Sequence, residues 1–90
     1  MVKPAKVGQW IKVDGTIIPV LPSKGTRFEL KELQDMVGGY VERVKLPKSM
    51  VLIANEDGHP MGLPPNPTAS QMTGLDLVGD VVLLPRGMGW

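Results

Sequence analysis

The sequence predicts an α+β domain, a small and mostly antiparallel sheet in the order β-β-α-β-β-α-β with the helices packed on one face. Three observations carry this reading. Asp14-Gly15, a hairpin signal, separates two apolar runs. In "LQDMVGGYVERVKL", helical spacing stops on two glycines and gives way to strand spacing. Two further apolar runs, "MVLIA" and "DVVLL", lie on either side of a helix start at Asn66-Pro67.

In the first run, Trp10, Ile11 and Val13 precede the turn, and Ile17, Ile18, Val20 and Leu21 follow it. Asp-Gly accepts positive φ at both central positions, so a two-residue turn is expected. Pro19 has no N–H to give to a ladder, which marks its strand as an edge strand or a bulged one. "PSKGT" then reads as a loop.

Leu30, Leu33 and Val37 recur at i, i+3 and i+7 and form one apolar helical stripe. Phe28, ahead of a cap at Glu29, is placed to staple onto Leu33. Glutamate is a poor N-cap, so the start lies at Glu29 or slightly earlier, at Thr26 or Arg27. Glu29 and Glu32 suit the positive end of the helix dipole. Gly38 supplies the left-handed C-cap, and Gly39 is read as a second rotation that turns the strand Tyr40–Leu46 back onto its helix. Phosphate motifs place their glycines before a helix, which favours a hinge here over an anion site.

Pro47 closes that strand. Met50–Ala54 is the next, followed by an acidic turn over Asn55–Gly58. Four prolines between His59 and Pro67 hold off regular structure until Asn66, a good N-cap with proline at the first helical position. A short helix Pro67–Met72, closed by Gly74, leads to the last strand, Asp80–Leu84, and the tail "RGMGW".

Ninety residues fit one domain, and 42% apolar with 21% charged residues is the balance of a globular chain. There is no cysteine, which removes disulfides and thiolate metal sites and is compatible with a reducing cytoplasm. No apolar run approaches a membrane span, and the first ten residues lack the apolar segment of a secretory leader, so a cytoplasmic protein with no membrane partner is expected. Net charge is +1, but residues 1–48 carry nine Lys/Arg against five Asp/Glu, and residues 49–90 carry one against four. Such a dipole favours head-to-tail association or an anionic ligand at one side; the plainer reading is a mixed soluble surface.

Chemical motifs are sparse. His59 is the only histidine, which rules out zinc sites built on several histidines, and Asn55, Glu56 and Asp57 lack the spacing of a calcium loop. No metal and no cofactor is expected. Ser23, Ser49 and Ser70 have no nucleophile-elbow context, and "SKGT" lacks the frame of a phosphate loop. Glu42 with Glu56 is the one conceivable carboxylate pair, with no fixed separation, so the chain is not read as an enzyme. By alternation Glu42 shares a face with Tyr40, Val44 and Leu46, while Val41, Arg43 and Lys45 share the other. A carboxylate on a core face needs a partner. Glu42 is therefore either at the rim of the sheet, or displaced by a shift of register, or a polar anchor in a pocket with Tyr40 as its flat wall. Arg43, Lys45 and Lys48 form a basic patch with few aromatics beside it, so direct nucleic-acid binding is not expected.

"LQDMVGGYVERVKL", "LIANEDGHPMGLPPN" and "VGDVVLLP" together resemble an uncharacterised family of small proteins from phages, plasmids and bacterial mobile elements, with the pattern LQxxVGGYxE, NExG, GLPxN and GDVVLL. The likeness covers residues 7–84 of a single domain, 1–90, and leaves 85–90 as a tail. It implies a small α+β fold and a mobile-element setting, and it supplies no reaction. By analogy with small phage proteins that act by binding, the chain is expected to be a non-catalytic counter-defence protein. It would sequester a nucleotide-derived signalling molecule, as a homo-oligomer, through Tyr40, Glu42, Arg43, Lys45, Asn55, Glu56, His59 and Asn66. The alternative is a protein-interaction module that inhibits a host defence or transcription protein through Met61–Pro67 and Trp90. A hydrolase dependent on Glu42 and His59 is the third and least favoured reading.

Overall fold

The computed structural model describes residues 7–88. Strands β1 (Gly8–Ile11) and β2 (Ile17–Val20) are followed by α1 (Leu30–Val37), β3 (Val41–Lys45), β4 (Val51–Asn55), α2 (Pro67–Thr73) and β5 (Val81–Leu84). The order differs in detail from the expected one, because a 3-10 turn, Pro47–Ser49, stands between β3 and β4. One five-stranded sheet results, in the order β2-β1-β5-β4-β3, with every neighbouring pair antiparallel. The tail residue Trp90 lies outside the described residues.

The β1–β2 connection is not the expected two-residue turn. Lys12 N–H donates to Thr16 O at 2.9 Å and Gly15 N–H donates to Lys12 O at 3.0 Å, which closes a three-residue loop over Val13–Gly15. Such a loop needs only one left-handed residue, and Gly15 supplies it at φ 92°. Asp14 fixes the loop by accepting from Thr16 N–H at 2.8 Å. Its bonds with Thr16 hold the Asp14 carboxyl below the usual carboxylate range.

The N-cap of α1 is Glu29 and not an earlier residue. Glu32 reaches back to accept from Glu29 N–H at 2.8 Å, and its other oxygen accepts from Ser23 N–H at 2.8 Å, which ties the preceding loop to the helix. Phe28 and Leu33 lie in one core cluster, the staple expected from their spacing. Gly38 ends the helix in the left-handed conformation, φ 80° and ψ 27°, and its N–H donates to Gln34 O. Gly39 does not repeat that rotation. Its role is contact: a Cβ there would lie 3.0 Å from Asn55 Nδ2.

The two helices do not share a face. Leu33 and Val37 of α1 pack with Phe28, Ile53, Val82, Leu84 and Met88. Ala69 of α2 packs with Ile11, Leu52, Ala54, Leu77, Val81 and Leu83. These are opposite sides of the sheet, since Leu52 and Ile53, or Val81 and Val82, point in opposite directions. The cause lies in the central strands. All four residues of β5 are buried, as are Leu52, Ile53, Ala54 and Asn55 of β4. A strand apolar on both faces needs cover on both, and one helix cannot give it.

This arrangement also places Glu42. The β3–β4 register runs unbroken from Val41↔Asn55 to Lys45↔Val51, so no bulge shifts it. Glu42 does share a face with Val44 and Leu46, which pack toward the α2 cluster. However, β3 is an edge strand and Glu42 is exposed at its rim. Its carboxylate stays in water and needs no partner.

Candidate functional site

The eight residues singled out from sequence do not form one cleft. Asn55 and Asn66 are corrected outright, because their side chains are buried and committed to backbone. Asn55 Nδ2 donates to Val37 O at 3.1 Å, and Asn55 Oδ1 accepts from Asp57 N–H at 2.8 Å. Asn66 Nδ2 donates to Ile11 O and to Gly79 O, each at 2.9 Å, and Oδ1 accepts from Ala69 N–H at 3.0 Å as the N-cap of α2. One amide thereby joins α2, the end of β1 and the approach to β5. Buried polar groups with that many bonds are structural fasteners, closed to a ligand.

Among the rest, Arg43 and Lys45 are exposed on the α1 side of β3, and Glu42 on the α2 side. Glu56 is exposed, and its N–H donates to Tyr40 O at 2.8 Å, extending the β3–β4 ladder by one pair. His59 sits in the exposed loop beyond, with Nε2 3.4 Å from Asp76 O.

Two of the predicted residues line a concave surface: Lys45 borders a cavity of about 390 Å³ with Leu46, Ser49, Met50 and Val51, and Tyr40 borders another at the end of α1. The Tyr40 side chain is 69% exposed and stands at a cavity of about 340 Å³, lined also by Lys31, Gln34, Asp35, Gly38 and Gly39. Helix geometry explains the lining: Lys31, Gln34 and Asp35 fall at i, i+3 and i+4 on the solvent side of α1. The two glycines carry no side chain to fill the space above the helix end. Lys31 Nζ and Asp35 Oδ1 form a 2.9 Å ion pair on that surface. Sequence reasoning missed Lys31, Gln34 and Asp35, although their spacing just ahead of "GGY" was the available signal.

Asp35 and Gly38 also line a second cavity of about 340 Å³, on the other side of the helix end, with Trp10, Leu63 and Asp80 among its walls. Asp80 Oδ1 accepts there from Val13 N–H at 3.0 Å. The Trp10 indole Nε1 is buried with no acceptor among the described residues, and Lys12 Nζ lies 4.5 Å from the ring centroid. A larger cavity, about 520 Å³, lies between Leu21, Pro22 and Met88 with Thr26 and Arg86 at its rim. Among the described residues no group of three His, Asp or Glu side chains is placed to hold a metal ion, and no helix is long and apolar enough to cross a membrane.

A family model described as a domain of unknown function, DUF3846, matches residues 9–89. The chain belongs to that family. The match takes in both helices and all of the sheet except Gly8, the first residue of β1, in this DUF3846 protein. No curated protein and no solved structure matches the chain.

Proposed function

We propose that this DUF3846 protein is a non-catalytic binding protein that sequesters a small nucleotide-derived signalling molecule. In this reading it belongs to a phage or mobile element and acts in counter-defence, in the host cytoplasm and as a homo-oligomer. The observation that carries the proposal is the exposed Tyr40 ring at the mouth of the α1 cavity. A planar base stacks on such a ring for about 1–3 kcal/mol. The Gln34 amide offers both a donor and an acceptor to the edge of the base. Lys31 offers an ammonium to a phosphate. Its ion pair with Asp35 is mostly solvent-exposed, and such pairs contribute at most about 1 kcal/mol, so redirecting it costs little.

The same surroundings narrow the ligand. The cavity lies at the negative end of the α1 dipole and beside the Asp35 carboxylate, both of which oppose a dense negative charge. A cyclic or singly charged nucleotide suits the site better than a triphosphate. Self-association is supported by Met72 and Leu75, exposed apolar side chains at the end of α2.

Thermal denaturation against a panel of cyclic and linear nucleotides tests the proposal. A ligand at a hundred times its Kd raises stability by about 2.7 kcal/mol. Cyclic compounds are expected to raise Tm, and triphosphates to do so less. Unchanged Tm with every nucleotide at millimolar concentration overturns the reading.

A second reading, inhibition of a host defence or transcription protein by direct binding, is favoured by Met61. It is 57% exposed in the loop between β4 and α2. Methionine on an open loop adapts readily to a partner surface. If this reading holds, Met61→Ser weakens capture of the host protein and leaves nucleotide-dependent Tm shifts unaltered.

A further inference from the structure

The two hairpin loops of the sheet have equal length and unequal backbones. Leu46 N–H donates to Met50 O at 2.9 Å and closes a three-residue loop, Pro47–Ser49, just as Lys12 and Thr16 close Val13–Gly15. The β1–β2 loop has one left-handed residue, a glycine, whereas the β3–β4 loop has two, Lys48 and Ser49 at φ 64° and 62°. The seven other residues of positive φ described in this chain are all glycine. Glycine would take both positions with less strain. The fold gains no contact in exchange: both side chains are exposed, and neither makes a hydrogen bond or ion pair among the described residues. Backbone strain that local packing does not require clusters at sites that hold ligands.

Beside this loop lies the cavity of about 390 Å³ lined by Lys45, Leu46, Ser49, Met50 and Val51. Small-molecule sites run from about 300 to 1,000 Å³. Lys45 is exposed and has no ion pair among the described residues, and no Asp or Glu occurs between Glu42 and Glu56. A charge on an edge strand discourages strand addition, which would account for Lys45 alone. Lys48 and Ser49 lie past the last ladder pair, Lys45↔Val51, where no edge remains to be guarded.

We propose that this cavity binds a small organic phosphate monoester. The Lys45 ammonium and the Ser49 hydroxyl donate to the phosphate oxygens, and Lys48 adds positive potential from the neighbouring position. Leu46, Met50 and Val51 supply an apolar wall for a substituent about the size of one ring. Two lysines without a counterion favour a phosphate monoester, at about −1.5 to −2 near neutral pH, over a carboxylate with a single charge. Serine and lysine at the left-handed positions thereby have a use that glycine could not supply.

This site is independent of the nucleotide cavity, because Tyr40 stands at the other end of β3, about 16 Å away along the strand. The ¹⁵N-labelled full chain is titrated with phenyl phosphate, inorganic phosphate and phenol at neutral pH and low salt. Phenyl phosphate at millimolar concentration should shift the Lys45, Ser49 and Met50 amides in a saturable way. Inorganic phosphate should bind at the same amides about tenfold more weakly, and phenol should leave them unmoved. Shifts at Gly38, Gly39 and Tyr40 report the α1 cavity instead, so failure of one site is distinguishable from failure of the other. Lys45→Gln should weaken phenyl phosphate binding about tenfold or more. The double variant Lys48→Gly, Ser49→Gly relieves both strained backbones, so it should stay folded and yet lose binding to a similar extent. Undiminished binding by that variant overturns the proposal, as does equal affinity for phenyl phosphate and either of the other probes. Shifts that fail to saturate, or that appear equally at Lys12 and Lys24, also overturn it, since they would report lysine charge alone.

Discussion

The side chain of Asn55, at the end of β4, donates to the carbonyl of Val37, the last residue of α1, at 3.1 Å. Helix C-termini leave carbonyls without intrahelical partners, and this bond satisfies one of them from a strand eighteen residues away. Gly39 makes the approach possible, because a Cβ at that position would press on Asn55 Nδ2. The reversal from α1 to β3 thus depends on both glycines, Gly38 through its conformation and Gly39 through its size.

Asn55→Ala should therefore lower stability by about 1–3 kcal/mol, the range for a buried hydrogen bond whose partner is left unsatisfied. In a domain this small, each kcal/mol moves Tm by about 4–8 °C. Gly39→Ala should also destabilise, but less so in the Asn55→Ala background, where the opposing amide is gone. A double-mutant cycle in urea measures the coupling. Strict additivity would mean that Gly39 serves some purpose other than clearance for Asn55.

Asn66 offers a sharper contrast between two substitutions. Asn66→Ala removes the α2 cap and leaves the Ile11 and Gly79 carbonyls without their donor, a loss of at least about 2 kcal/mol. Asn66→Asp keeps the cap acceptor but turns a carboxylate oxygen toward those same carbonyls in a fully buried site. It should cost more than alanine at neutral pH and recover partly in acid, as protonation restores a donor. Urea denaturation of both variants across pH checks the order.

These two asparagines mark where the sequence was legible and where it was not. Local rules sufficed for the left-handed cap at Gly38, the Asn66-Pro67 helix start, the Phe28–Leu33 staple and the edge position of Pro19, because each depends on neighbours a few residues away. The partners of Asn55 and Asn66 lie 18 and 55 residues off, and an asparagine that fastens backbones cannot be told by type from one that greets a ligand. The two-sided sheet was available in "VLIA" and "VVLL", runs that do not alternate, but alternation at β3 drew the reading toward one buried face. Tyr40 was singled out as a stacking surface, while the helix residues that share its cavity lay in a different element and were passed over.

The 3-10 turn between β3 and β4 stores strain. Lys48 and Ser49 adopt positive φ, 64° and 62°, although neither is glycine. A left-handed conformation costs an ordinary residue about 1 kcal/mol or more. Lys48→Gly should therefore raise Tm by several degrees, with the looser unfolded chain offsetting part of the gain. An unchanged or lower Tm would show that the Lys48 side chain contributes more than its backbone conformation costs.

Glu32 gives the fold a pH dependence of known sign. The Glu29 N–H first, and the Ser23 bonds after it, hold its carboxyl below the usual glutamate value against the opposing effect of burial. A carboxyl depressed in the folded state binds its proton more readily once unfolded. Its contribution is therefore complete above the ordinary glutamate pKa and is lost as pH falls through the lower folded value. Exchange at the Ser23 and Glu29 amides should accelerate over that acid window while the β4 and β5 amides stay protected. Glu32→Gln should remove the pH step at these two amides, because a neutral amide oxygen accepts at every pH. Persistence of the step in that variant would assign it to another group, such as Asp14, whose carboxyl is depressed in the same direction by its bonds with Thr16.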